Sequence, residues 1–143
     1  NDYHPNSRQL IVSFLKEYCT AKDLAHFVRA RSPFRTRPIQ RWNVDGESGT
    51  AWDIEELSGL VADIETDRKG VPILLKQYLK LGGKLVSFNV DPNFSNALDG
   101  LIVVDLLKTD SRFLERYLGK EGTAEFLAYH QRQVSEAKAG KVR

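Results

Sequence analysis

Apolar residues near the start of the chain recur every three to four positions: Leu10, Ile11, Phe14, Leu15 and Tyr18. That spacing predicts a helix, with Asn6 or Ser7 as its cap. A second short helix is expected over 22–28, capped by Thr20. Further on, Thr50-Ala-Trp-Asp53 has capping-box spacing, with the acid at the third helical position. Ile54, Leu57, Leu60, Val61 and Ile64 then form one apolar stripe, and residues 67–70 end it. The clearest segment follows. Gly70-Val-Pro72 precedes Ile73, Leu74, Leu75, Tyr78, Leu79 and Leu81, and Gly82-Gly83 comes after. Proline near the first turn and glycine beyond the last are helix punctuation. The period then shortens: residues 84–90 alternate as a strand does, and Asp91-Pro92-Asn93 closes them. Residues 101–107 (LIVVDLL) predict a second, mostly buried strand, with a loop and one helical turn between the two. Two helices are expected at the end, 111–118 and 122–138, the second carrying Phe126, Leu127, Tyr129 and His130.

This order of elements indicates the α+β class, helices packed on a small sheet that includes an antiparallel strand pair. Two strands alone are marginal, so a third is expected from residues 41–44 or from a neighbouring domain. A length of 143 residues suits one domain, 1–143. Within it, 1–28 is helical, 29–50 a basic connector and loop, and 51–143 an α/β core. The chain begins with Asn and has no Met, so it is expected to be a piece of a longer protein.

Composition narrows the picture. With 41% hydrophobic and 28% charged residues, neither a fibre nor a disordered tail fits. A net charge of +2 is too small to argue for nucleic acid, and no base-reading motif is present. Cys19 is the one cysteine, which rules out an intramolecular disulfide and fits a reducing compartment. The longest apolar stretches, 10–15 and 101–107, fall far short of the roughly 20 residues that span a bilayer. The opening NDYHPNSRQ lacks the apolar region of a secretory signal. His4, His26 and His130 have no second ligand at metal-binding spacing, so no metal is expected. Cys19 has no triad partner and is better placed as a small buried apolar residue.

Charge is unevenly distributed. Arg29, Arg31, Arg35, Arg37 and Arg41 fall in a stretch without an acid, which also holds Pro33 and Phe34. Residues 42–67 reverse the sign, with Asp45, Glu47, Asp53, Glu55, Glu56, Asp63, Glu65 and Asp67 and no Lys or Arg. The arginines suit phosphate, anionic lipid or an acidic carrier protein. The plainer alternative is a solvated connector that pairs with the acidic block. Glu56 and Asp63 share a helical stripe, but a solvated face explains them as well as acid–base chemistry does. Arg68-Lys69-Gly70 offers either an anion site before a helix or a simple helix end. Lys76 and Lys80 share one helical face, and Asn89 and Asp91 sit at a strand end, where sites form but turns do too.

From Gly70 onward several phrases carry a resemblance. GVPILLKQYLKLGGKLVSFNVDPNFSNALDGLIVVDL (70–106), LERYLGKEG (114–122) and FLAYH (126–130) resemble the C-terminal part of bacterial haemolysin-type proteins of the 1-acylglycerol-3-phosphate (lysophospholipid) acyltransferase kind. PNSRQLIVSFL (5–15) and RARSPFRTR (29–37) fit the same proteins. The helix ending Tyr-Leu-Lys-Leu-Gly-Gly, then a strand and Asp-Pro-x-Phe, is also similar to ornithine-lipid N-acyltransferases, which are GNAT-like relatives of autoinducer synthases. The resemblance implies the C-terminal part of a GNAT-like acyltransferase fold and a role in phospholipid or lipid-amine acylation. It implies acyl-CoA or an acyl carrier protein thioester as co-substrate, with no bound cofactor. Expected partners are an N-terminal acyltransferase domain of the same protein and an anionic membrane, and the place is the cytoplasm, peripheral on the inner membrane. Arg29, Arg31, Arg35, Arg37, Lys76, Lys80, Asn89 and Asp91 are the candidate substrate-binding residues. The catalytic His-x4-Asp pattern is missing, because Gln9, Arg31 and Ser135 stand where the Asp would follow each histidine. No residue is therefore assigned as the base, and a lytic role lacks the long amphipathic segment it needs.

Overall fold

The first helix, α1 (Pro5–Tyr18), begins earlier than expected. His4 is the N-cap in place of Asn6 or Ser7, its ring Nδ1 accepting the Asn6 N–H at 3.2 Å. Pro5 follows it, where a missing N–H has no intrahelical acceptor to lose. At the far end the Thr20 hydroxyl donates to the Lys16 carbonyl at 2.7 Å, so Thr20 closes α1 and opens no second helix. Over 22–28 only one tight turn forms, Ala25–Phe27, and the chain is already extended at Val28. So few residues do not repay the cost of starting a helix. The computed structural model describes residues 3–35 and 53–139, with 134–139 as backbone alone.

Helix α2 (Ile54–Ile64) has its capping box one turn later than the spacing from Thr50 predicted. Asp53 is the N-cap, extended in φ and ψ, and its carboxylate and that of Glu56 cap each other's backbone reciprocally. The stripe behaves as predicted: Leu57 and Val61 are buried, with Ile54 beside them. The helix ends sooner than expected, at Ile64, where Glu65 turns extended. Helix α3 (Ile73–Lys80) starts after Pro72 and ends at a glycine pair whose members differ in purpose. Gly82 has a positive φ of 82°, whereas Gly83 has no room for a Cβ, which would lie 2.6 Å from the Tyr78 carbonyl oxygen.

Strands β1 (Lys84–Asp91) and β2 (Ala97–Val103) form an antiparallel hairpin. The second strand thus lies earlier than the 101–107 predicted, and the intervening loop shrinks to a tight turn. Ser95 and Asn96 both take positive φ there, which lets the chain reverse without glycine. The ladder pairs Leu85 with Ile102 and Ser87 with Leu101, leaving Val86 as a bulge. That extra residue shifts the phase of alternation, so Leu85 and Phe88 both join the core. Ser87, Asn89 and Asp91 then share the other face.

The core joins Phe14 and Leu15 of α1, Leu57 and Val61 of α2, Val71 and Leu85. Val61 is 0% exposed, and each such side chain contributes roughly 1.5–3 kcal/mol by leaving water. Among the described residues the sheet has two strands. The third strand expected at 41–44 lies outside the described residues, as do the other residues of 36–50 in the connector and its loop. What does cover the second edge of β1 is irregular chain. Leu85 exchanges backbone hydrogen bonds with Cys19 and Ala21, both at 2.7 Å, and the Val90 N–H donates to the Ser32 carbonyl at 2.8 Å.

The contacts divide the chain into two units, Asn1–Val103 and Val104–Arg143. In the second, the Asp105 carboxylate accepts the Leu107 N–H at 3.1 Å and caps a short turn, Leu106–Lys108. This local bond competes with the ladder over 104–107, where strand had been predicted. Helix α4 (Ser111–Ala139) is interrupted at Gly119, whose φ of 73° is not helical. The two predicted terminal helices are therefore both present, the second resuming at Lys120.

Candidate functional site

Residues 22–31 arch between two anchors on β1, with the tight turn Ala25–Phe27 staying close to that strand. One is the Ala21–Leu85 bond; the other is Ser32, whose N–H donates to the Asn89 side-chain oxygen at 3.0 Å. The Asn89 amide stands in for a backbone acceptor here. Pro33 follows and has no N–H to offer, so the pairing stops there.

Two grooves flank the returning arm of this arch, and Val28, Ala30, Arg31 and Ser87 belong to both. The first, about 540 Å³, has Lys16, Arg29 and Arg31 around an apolar surface from Val28, Phe34, Val86 and Phe88. No carboxylate is among its described lining residues. The second, about 600 Å³, runs toward the hairpin turn and sets Asp91 and Asp99 against Arg31, with Asn89 between strands. The first can hold a ligand that is anionic at one end and apolar at the other. The second carries mixed charge over polar backbone.

Of the sequence-predicted site residues, Arg29 and Arg31 meet in the first groove, and Arg31, Asn89 and Asp91 meet in the second. Arg35 is exposed and lines neither groove; Arg37 lies outside the described residues. Among the described residues no ion pair joins Arg29, Arg31 or Arg35 to an acid. Asn89 and Asp91 also have local duties: Asn89 holds Ser32, and the Asp91 carboxylate accepts the Asn93 N–H at 2.8 Å, closing the turn. Lys76 pairs with Glu55 at 2.6 Å, and Lys80 is exposed on the last turn of α3. Neither lines the grooves.

The other candidates resolve as architecture. Glu56 caps α2, and Asp63 binds Arg68 at 2.7 Å. Lys69 faces Asp67 at 3.2 Å and Glu65 at 3.8 Å, so Arg68 and Lys69 are neutralised within their own turn. Cys19 packs beside the core, where burial pushes its thiol up and away from nucleophilic use. His130 lies edge-on to Phe126, 4.6 Å between ring centres. Among the described residues no cluster of three His, Cys, Asp or Glu is placed to hold a metal, and no helix is long and apolar enough to cross a membrane.

One residue escaped the sequence reading. Glu65 has a side chain only 5% exposed and accepts the His4 N–H at 2.8 Å. Its carboxyl is held below the usual range, first by the nearby Ser7 hydroxyl, then by His4 and Lys69. Ser7 itself is fully buried on the first turn of α1. Glu65 thus places an anion at the start of α1, where the helix dipole favours one. Beside it the Tyr3 hydroxyl donates to the Gly70 carbonyl at 2.6 Å. The signal was available: Glu65 follows Val61 by four, on the apolar stripe itself.

No protein-family model, curated protein or solved structure matches the chain.

Proposed function

We propose that the chain is a domain of a bacterial membrane-lipid acyltransferase and that the Arg29–Arg31 groove receives an acyl-bearing anion. The observation that carries this is the meeting of Lys16, Arg29 and Arg31 with Val28, Phe34, Val86 and Phe88 in one groove free of described carboxylates. An acyl thioester carried on phosphopantetheine, like a lysophospholipid, joins a phosphate to an alkyl chain, and the groove offers a surface for each. Guanidinium forks suit the phosphate oxygens. The resemblance of 70–106 to haemolysin-type and ornithine-lipid acyltransferases supports the same reading, and with it the C-terminal part of a GNAT-like fold built around the β1–β2 hairpin. In this reading the chemistry belongs to an N-terminal acyltransferase domain at the cytoplasmic face of the inner membrane, since no base is assigned here.

Titration calorimetry of the chain with a long-chain acyl thioester, on coenzyme A and on acyl carrier protein, tests it. Saturable binding is expected, weakened at least about tenfold by Arg29→Gln with Arg31→Gln, since charged hydrogen bonds are each worth roughly 1.5–3 kcal/mol. Coenzyme A alone should bind more weakly than its acyl form. Absence of binding to both thioesters would sink the proposal.

A second reading is a non-catalytic module that holds an acyl carrier protein or anionic membrane through the arginine cluster. The exposure of Arg35 outside either groove favours it. In that case binding would not depend on the acyl chain.

A further inference from the structure

The arch over 22–31 carries more than the grooves use. Its tight turn Ala25–Phe27 leaves Phe27 77% exposed, and Leu24 and Val28, each 38% exposed, complete an apolar crest whose Val28 also borders the grooves. The His26 ring lies against Phe27, centroids 3.9 Å apart, and leaves the rest of the phenyl ring to solvent. Lys22, Arg29 and Arg31 are exposed along the same arch, and Asp23 is its one acid. Both ends are tied to β1 by backbone hydrogen bonds, so the crest is displayed on a fixed base.

Another phenylalanine is almost equally exposed. Phe94, at 75%, tops the β1–β2 turn, but its nearest charged neighbours in the hairpin are Asp91 and Asp99. Exposure is common to the two sites; the sign of the surrounding charge is not. A three-residue apolar crest with a cationic rim matches the boundary of an anionic bilayer, where aromatic and aliphatic side chains enter below the headgroups and Lys or Arg meet the phosphates.

We infer that the 22–31 arch is a membrane-docking element that inserts Phe27, with Leu24 and Val28, into an anionic lipid surface while Lys22, Arg29 and Arg31 bind headgroup phosphates. This deepens the second reading above, an anionic membrane held through the arginines; it stands on the exposed Phe27 and not on thioester binding, so the two can fail separately.

The test is flotation of the full chain with vesicles of pure phosphatidylcholine and of equal parts phosphatidylcholine and phosphatidylglycerol. Binding is expected to the anionic vesicles alone and to weaken with salt. Phe27→Ser should weaken it at least about tenfold, given the area a phenyl ring takes from water. Phe27→Trp should retain it, and Phe94→Ser should leave it unchanged. Arg29→Gln with Arg31→Gln should cost about 30-fold, the value of two surface cations at an anionic leaflet. Thioester titration without vesicles should not respond to Phe27→Ser. Failure to float with anionic vesicles would overturn the inference. So would full binding by Phe27→Ser, an equal loss in Phe94→Ser, a loss in Phe27→Trp, or capture by an acidic carrier protein alone.

Discussion

The two grooves beside β1 share Val28, Ala30, Arg31 and Ser87, yet they differ in what they can hold. One gathers cations over Phe34, Val86 and Phe88; the other gathers Asp91 and Asp99 over the polar face of the hairpin. The divergence comes from the bulge at Val86, which puts Phe88 with the core and Ser87, Asn89 and Asp91 on the opposite face. β1 thereby supplies Val86 and Phe88 to one groove and Asn89 and Asp91 to the other, where β2 adds Asp99. Identity of lining residues is therefore a poor guide to ligand class; the phase of the strand beneath them matters more.

The heaviest blow to this arrangement should be Leu85→Ala. Leu85 is buried, follows Cys19 and Ala21 into the backbone pairing, and lines the cationic groove. A loss of about 2–5 kcal/mol is expected, read by denaturant unfolding, because the surrounding core cannot fully collapse. Thioester binding in the cationic groove should fall with it; an unchanged midpoint would separate the groove from the core.

Asn89→Ala comes next. It removes the acceptor of the Ser32 N–H and should cost about 1–3 kcal/mol, the penalty for a stranded donor. Thioester binding should fall with it although Asn89 does not line that groove. Asn89→Asp keeps an acceptor and should restore most of the stability, while Asn89→Leu should not.

Acid should reveal Glu65. Its folded-state carboxyl lies below the ordinary 4.5, so its contribution to stability is present above that value. The contribution is lost as pH falls through the folded-state range. Unfolding midpoints followed into acid should therefore drop in the parent, and Glu65→Gln should flatten that part of the drop. Because Glu65 lines neither groove, the arginine double variant should keep the same acid response.

The gentlest change is at the rim. Asp99→Asn and Arg29→Gln should each leave stability within about 0.5 kcal/mol, as exposed substitutions do. Calorimetry should then separate them, with Arg29→Gln weakening the anionic ligand and Asp99→Asn not.

Much of this was legible without coordinates. The stripes Leu10–Ile11–Phe14–Leu15 and Leu57–Val61 became the core, and the Pro72 and Gly82 boundaries of α3 hold because each residue's backbone is restricted or permissive wherever it sits. The hairpin was misplaced because its turn uses Ser95 and Asn96 at positive φ, without the glycine that advertises such turns. Glu65 was missed because its acidic neighbours point outward; only the fold puts the start of α1 over it.

Of the candidate site, sequence alone determined the chemistry on offer: arginines near Phe34, and an Asn-Val-Asp strand end. It also determined the helix stripes, since hydrophobic periodicity is a property of neighbours along the chain. Tertiary structure decided the rest. Arg29 and Arg31 reach Phe88, and Ser32 reaches Asn89, only because the chain folds back on β1 across more than fifty residues. Which face each strand residue shows was set by one bulge, and a bulge depends on the register of two strands that meet only in the folded state.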